Sequence, residues 1–221
     1  MIVEFSRSTI DRYHWILASA SPRRRQLLAG AGFRFDVIPA SPGAEDGIRD
    51  GETPAEYVVR QARQKAEDVA GLIRRGEIAF GDAARRPAVV IGCDTVAVCN
   101  GEMRCGSQCS LLGKPQNIDD ARRMLRLLGG NRHEALSGLC LIHTTTGETS
   151  VEVERTVLYM HAMSDESLEA YLASHQWEGK AGAFGYQDGI DWLEIVEGSE
   201  SNVVGLPLEL LEKMMKQFNK K

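Results

Sequence analysis

Ile16-Leu17-Ala18-Ser19-Ala20-Ser21-Pro22-Arg23-Arg24-Arg25 runs from an apolar segment through hydroxyls into a proline and three arginines. Leu27, Leu28 and Ala31 follow as apolar positions. The order predicts a strand, a tight loop and the first turn of a helix. Pro22 suits the first helical position because no amide donor is needed there, and Ser21 before it is a good N-cap. Such a helix start aims backbone N–H groups and the positive dipole end outward, which makes an anion site. Ser19 and the arginine forks specify phosphate over carboxylate, since a guanidinium matches phosphate bidentately. Taken alone the stretch also reads as a solvated basic helix start. The segments downstream decide between the two.

Working outward, strand and helix character alternate. Phe33 to Pro39 reads as a strand, closing at Ser41-Pro42-Gly43, and Thr53-Pro54 opens a helix. Val59, Ala62, Ala66, Val69, Ala70 and Ile73 form its buried stripe, with Arg60, Arg63 and Lys65 off the stripe. Ala88 to Gly92 is a fully apolar strand of the buried type, with Asp94-Thr95 just beyond it. Val96 to Cys99 and Asn100-Gly101 suggest a hairpin. Asn117 caps a helix with Ala121, Met124, Leu125 and Leu128 on its core face, stopped at Gly129-Gly130. Leu136 to His143 and Val151 to His161 are two long strands joined at Thr146-Gly147. Asp165 caps a short helix through Leu172, Gly179 to Gly189 is glycine-rich, and Trp192 to Val196 is a strand. Pro207 starts a last helix with Leu210, Leu211, Met214, Met215 and Phe218 on one face. The class is α/β.

The 221 residues suit one compact domain or two small lobes. We divide them into an N-terminal extension (1–15) and a single domain (16–221). A net charge of −5 excludes a global basic field for nucleic acid or an anionic membrane. Met1 to Trp15 mixes Glu4, Arg7, Asp11 and Arg12 and has no apolar core of a signal peptide. No run of about eighteen apolar residues predicts a transmembrane helix, so the expected location is cytoplasmic. Cys93, Cys99, Cys105 and Cys109 lack the paired knuckles of zinc ribbons, and a cytosolic chain keeps its thiols reduced.

The residues able to do chemistry are few. Asp94, after a buried strand, lies where open α/β sheets bind ligands. Glu45 and Asp46 follow in the loop after the second strand. A carboxylate from that loop meeting Asp94 would make a Mg²⁺ site, because magnesium combines a few carboxylates with substrate phosphate oxygens. Gly113-Lys114-Pro115 fixes the backbone around a lysine suited to phosphate, although the P-loop pattern is absent. In Gly179-Lys180-Ala181-Gly182-Ala183-Phe184-Gly185-Tyr186-Gln187, glycines permit close approach to a ligand, and Gln187 can read a base edge with a donor and an acceptor. His14, His133, His143, His161 and His175 have no ligand spacing, and no G-x-S-x-G is present for a serine hydrolase.

Together these segments resemble the Maf family. Ala18-Ser19-Ala20-Ser21-Pro22-Arg23-Arg24, Lys65-Ala66, Gly92-Cys93-Asp94-Thr95, Gly113-Lys114-Pro115, Ser137-Gly138, Lys180 to Gln187 and Asn202-Val203-Val204-Gly205-Leu206-Pro207 occur in the family's order. The resemblance implies a mixed sheet with flanking helices, related to the inosine triphosphatases, with two lobes around a nucleotide cleft. It implies a nucleoside triphosphate pyrophosphatase, often a homodimer, that uses Mg²⁺ or Mn²⁺ and releases a monophosphate and pyrophosphate. Ser19, Arg23, Arg24, Lys65, Lys114 and Lys180 would hold phosphate. Glu45 and Asp94 would hold metal, and Asp94 would act as general base, metal ligand or both. Arg23, Thr95 and Gln187 match the dTTP/UTP type, whereas the 7-methyl-GTP type carries an aromatic residue, Gln and Glu at those positions. A nucleotide-binding regulator of septum formation without turnover is the rival reading. The chain departs from the family pattern at an insertion of about eight residues (Arg104 to Leu111), at Asp188-Gly189-Ile190-Asp191, and at Tyr186.

Overall fold

A short helix, α1 (Arg7–Ile10), leads into strand β1 (His14–Leu17), and the loop carrying Ser19 then opens helix α2 (Pro22–Gly30). The computed structural model describes residues 3–78, 80, 86–99, 110–186 and 191–218. The remaining elements are β2 (Phe35–Val37), α3 (Pro54–Arg74), β3 (Ala88–Cys99), β4 (Ser110–Leu112), α4 (Ile118–Leu128), β5 (Asn131–His143), β6 (Thr149–Met160), α5 (Asp165–Ala173), β7 (Leu193–Glu197), α6 (Glu200–Val204) and α7 (Leu208–Phe218). Among the described residues the strands form one seven-stranded mixed sheet in the order β2-β1-β3-β5-β6-β7, with β4 also paired to β3. β1 runs parallel to β2 and to β3 (Trp15 opposite Phe35 and Val89), while β4 is antiparallel to β3 and β7 to β6. The mixed sheet with flanking helices agrees with the resemblance.

Two compact units emerge, one of Met1–Asp94, Ser137–Glu154 and Gly205–Lys221, the other of Thr95–Leu136 and Arg155–Val204. In the first, every residue of β1 is buried, as a parallel strand covered on both faces requires. α7 contributes Leu210, Leu211, Met214, Met215 and Phe218 to a core with Tyr13, Trp15, Leu28 and Leu139. Each large apolar side chain so buried contributes about 1.5–3 kcal/mol. α3 starts with a capping box in which Thr53 and Glu56 satisfy each other's backbone N–H groups, and Pro54 follows the cap. The helix lies very close to the sheet. A Cβ on Gly92 of β3 would fall 2.1 Å from the Ala62 carbonyl oxygen, and one on Gly138 of β5 would fall 2.1 Å from that of Val58. Only glycine permits that approach.

In the second unit, Asn117 caps α4 by accepting from the Asp120 N–H, and Ala121, Met124, Leu125 and Leu128 are buried as their spacing predicted. They pack with Leu158, Met160, Leu172 and Phe184. Asn202 donates to the Ala135 carbonyl (3.1 Å) and to Thr156 Oγ1 (3.0 Å), fastening α6 to the strands.

Several expectations shift. Ser21 stands at the α2 N-cap position but makes no side-chain cap bond, because the hydroxyl turned to the backbone in this loop is that of Ser19. α5 is capped by Ser164, which accepts from the Ser167 N–H, and Asp165 is its first helical residue. The strand expected to stop at Gly92 continues to Cys99, since Gly92 serves close helix packing and does not break the strand. β4 supplies the second strand of the expected hairpin (Cys99 opposite Ser110). Its turn at Asn100-Gly101, Cys105, Cys109 and the insertion up to residue 109 lie outside the described residues.

Candidate active site

The loop between β1 and α2 folds back on Ser19. Buried Ser19 presents its Oγ to the Ser21 N–H (3.2 Å) and to a terminal nitrogen of Arg24 (3.1 Å). Arg24 Nε donates to the Gly205 carbonyl (2.8 Å). A guanidinium held at two points has a fixed orientation, and a guanidinium matches an oxyanion bidentately. Arg23 is half-buried in the first turn of α2.

The Gly205 carbonyl also accepts from the Cys93 thiol (3.3 Å), so one backbone oxygen ties the arginine loop to the residue before Asp94. Asp94 lies within β3, three residues after the β1 pairing ends at Ile91. Its Oδ1 is 2.7 Å from Lys65 Nζ, and the same ammonium is 2.9 Å from Glu45 Oε1. Lys65 is 5% exposed, which corrects its expected position off the buried stripe of α3. Two carboxylates compensate the buried charge, without which burial would cost several kcal/mol. On the same helix Val58 is buried where Val59 was expected, and Gln61 is buried as well.

α3 also holds the loop that carries Glu45. Arg60 donates to Glu52 (2.6 and 2.7 Å), to the Gly47 carbonyl (2.9 Å) and to Asp46. Gln61 donates to the Asp46 carbonyl, and Asp68 accepts from the Ser41 N–H (2.7 Å). The Arg60 guanidinium holds the Glu52 carboxyl down at about 2. Asp46 is bonded by Arg49 and Arg60, which lower its pKa. Of the loop pair, Asp46 is engaged by these arginines and Glu45 contacts the ammonium that Asp94 also contacts. Tyr57, one helical turn before Gln61, is half-buried, and its phenol is raised by burial and by the nearby charges of Asp94 and Glu45.

Glu45 and Asp94 are hard oxygen donors that converge on one cationic point, a fit for Mg²⁺ or Mn²⁺ bound through two carboxylates and completed by phosphate oxygens. Among the described residues no group of three or more His, Cys, Asp or Glu could hold a metal.

Thr95, Lys114 and Lys180 belong to the second unit. Thr95 is half-buried, Lys114 is exposed and Lys180 half-buried, and Gln187 lies outside the described residues. The Gly182 N–H donates to the Gly113 carbonyl (3.0 Å), which joins the Lys114 loop to the 3-10 turn Ala181–Ala183 beside Lys180. Beneath this loop the His133 ring packs edge-on against Phe184, with centroids 5.2 Å apart. Burial lowers the His133 pKa to about 4, against a smaller opposing effect of the Asn131 backbone. Sequence spacing gave no signal for His133, Arg60 or the Gly205 carbonyl.

Among the described residues no helix is long and apolar enough to cross a membrane. A dTTP/UTP pyrophosphatase of Rhodopirellula baltica is 47% identical over 204 residues, covering 92% of this chain and 81% of the relative. A dTTP/UTP pyrophosphatase of Geotalea uraniireducens is 41% identical, covering 87% and 89%, and one of Alkaliphilus metalliredigens is 36% identical, covering 92% and 96%. The family described as Maf-like protein matches residues 14–218, so its pattern spans the arginine loop, the Lys65–Asp94 pair and the final helix, and the chain belongs to the Maf-like family.

Proposed function

We propose that this chain is a nucleoside triphosphate pyrophosphatase that hydrolyses dTTP and UTP at the α–β phosphoanhydride, giving the monophosphate and pyrophosphate. The observation that carries the reading is the buried Lys65 ammonium between Asp94 and Glu45, linked through Cys93 and the Gly205 carbonyl to the Ser19–Arg24 loop. Cation, carboxylate and anion grip are the parts that attack on a phosphoanhydride needs. Ser19, Arg23 and Arg24 hold phosphate oxygens, and Lys65 neutralises the charge that builds on them. Asp94 takes the proton of the attacking water or ligates metal, and a general base in such a role contributes about 10²–10⁴-fold. A divalent cation held by Glu45 and Asp94 would supply charge neutralisation on the phosphates.

In this reading residues 16–221 act as one catalytic domain. Lys114 and Lys180 add positive charge for the triphosphate, while Arg23, Thr95 and Gln187 set the preference for uracil-type bases. The similarity to dTTP/UTP pyrophosphatases supports that preference. The reading also includes a homodimer and a cytoplasmic location. Purified protein with Mg²⁺ and a nucleotide panel, assayed for pyrophosphate, tests it. The expected order is dTTP and UTP, then CTP, with purine nucleotides and 7-methyl-GTP weakest. Binding without release across the panel would instead support a nucleotide-sensing regulator. A kcat/KM for 7-methyl-GTP at or above that for dTTP would overturn the base assignment.

A further inference from the structure

We propose that Lys65 is a resident counter-cation. It occupies the Glu45–Asp94 carboxylate pair in the nucleotide-free protein, so that the divalent ion enters with the nucleotide and not before it. The inference rests on the pyrophosphatase reading above. Its geometric basis is the ammonium 2.7 Å from Asp94 Oδ1 and 2.9 Å from Glu45 Oε1, at the point where both carboxylates converge. A divalent ion drawing on the same oxygens would meet a positive charge at close range, where Coulomb repulsion is large away from bulk water. The ammonium cannot drift off into solvent, because Lys65 is 5% exposed. The loop that carries Glu45 is fastened to the same helix by Arg60, Gln61 and Asp68, which keeps the exposed Glu45 carboxylate within reach of the ammonium.

Among the described residues the carboxylates at this point are two. Among the described residues no third His, Cys, Asp or Glu joins the pair, and magnesium keeps near-octahedral coordination that phosphate oxygens commonly complete. A bound triphosphate changes both conditions together. Its oxygens give Lys65 a new anionic partner within reach of a flexible four-carbon stem, and they add ligands for the incoming ion. Lys65 therefore has two successive partners, carboxylate before substrate and phosphate after it.

The experiment measures Mn²⁺ binding to the nucleotide-free protein by electron paramagnetic resonance, in wild type, Lys65→Met and Lys65→Met/Asp94→Asn. Lys65→Met should bind one Mn²⁺ at least tenfold more tightly than wild type, and adding Asp94→Asn should abolish the gain. Circular dichroism checks the fold, and Lys65→Gln serves for the same comparison if Lys65→Met does not fold. Wild type binding Mn²⁺ as tightly as the Lys65 variant overturns the proposal, as does a gain that survives loss of Asp94. The comparison contains no nucleotide, so its outcome is separate from that of the pyrophosphate assay. A wild type that turns over nucleotide but shows no gain on losing Lys65 defeats this inference alone.

Discussion

Gly92→Ala probes how the fold sets the geometry of the site. The added Cβ would lie 2.1 Å from the Ala62 carbonyl oxygen and 2.9 Å from the Ala66 Cβ, where real Cβ atoms keep beyond 3.0 Å. Relief requires α3 and β3 to separate by about 1 Å, and overpacking of this kind costs about 1–3 kcal/mol. For a chain of this size each kcal/mol moves Tm by about 2–4 °C, so a fall of several degrees is expected. The catalytic effect should be larger in proportion. Ala62 and Ala66 flank Lys65, and Gly92 is two residues from Asp94, so the same separation lengthens the 2.7 Å Lys65–Asp94 contact. Misplacement by about 1 Å can cost about 10²-fold in rate. Gly30→Ala is the control, because a Cβ there meets nothing within 4 Å and the φ is not positive. Thermal unfolding and pyrophosphate release, measured on both variants, give the answer. A Gly92→Ala protein with the Tm and kcat of wild type would refute the close-packing argument.

Arg24→Ala removes the bonds to the Gly205 carbonyl and Ser19 Oγ. With charged hydrogen bonds contributing about 1.5–3 kcal/mol each, kcat/KM should fall at least tenfold in a folded protein, and unchanged kinetics would show that Arg24 does not hold phosphate. Arg60→Gln removes the clamp on Glu52, Asp46 and Gly47. Amides of residues 45–52 should then exchange faster, with kcat/KM reduced about tenfold, and unaltered exchange would show that Arg60 does not hold the loop. His133, lowered from 6.5 to about 4 by burial, stays neutral in the fold while the unfolded chain takes up a proton. Stability should be complete above pH 6.5 and decline by about 3 kcal/mol on acidification to pH 4. Denaturant midpoints of His133→Leu should be flatter over that window, and an identical slope would count against the buried neutral imidazole.

The arginine loop was legible because its signals are local: a proline after a serine, with apolar residues on either side, specifies strand, turn and helix within ten residues. The faces of α4 and α7 were legible for the same reason, since a helical apolar stripe repeats within a few turns. Lys65 was not. A lysine scores as polar in any periodic pattern, and the carboxylates that permit its burial lie 20 and 29 residues away along the chain. The continuity of β3 was hidden by Gly92, whose missing side chain reads as a break until Ala62 and Ala66 are seen against it. The Gly205 carbonyl is a backbone atom and carries no residue-type signal for its part in orienting Arg24 and Cys93. His133 was discounted because histidines were sought at ligand spacing, whereas its setting is apolar and its partner is the Phe184 ring.

The first unit builds its carboxylate and cation geometry from one helix. Lys65 comes from α3, and Asp94 comes from the strand on which α3 rests at Gly92. Glu45 comes from a loop fastened by Arg60, Gln61 and Asp68 of that helix. Side chains on a packed helix hold position more closely than side chains on a free loop, so placing the fasteners on α3 lends the loop the helix's rigidity. The capping box at Thr53 and Glu56 fixes where that helix starts, and the glycines at 92 and 138 fix how near the sheet it lies. Sensitivity to substitution should therefore follow contact with α3 and not distance along the chain from Asp94. Ile48, 49% exposed and only three residues from Glu45 in sequence, should accept polar replacement, whereas Gly138, far from Asp94 in sequence, should not accept even a methyl group.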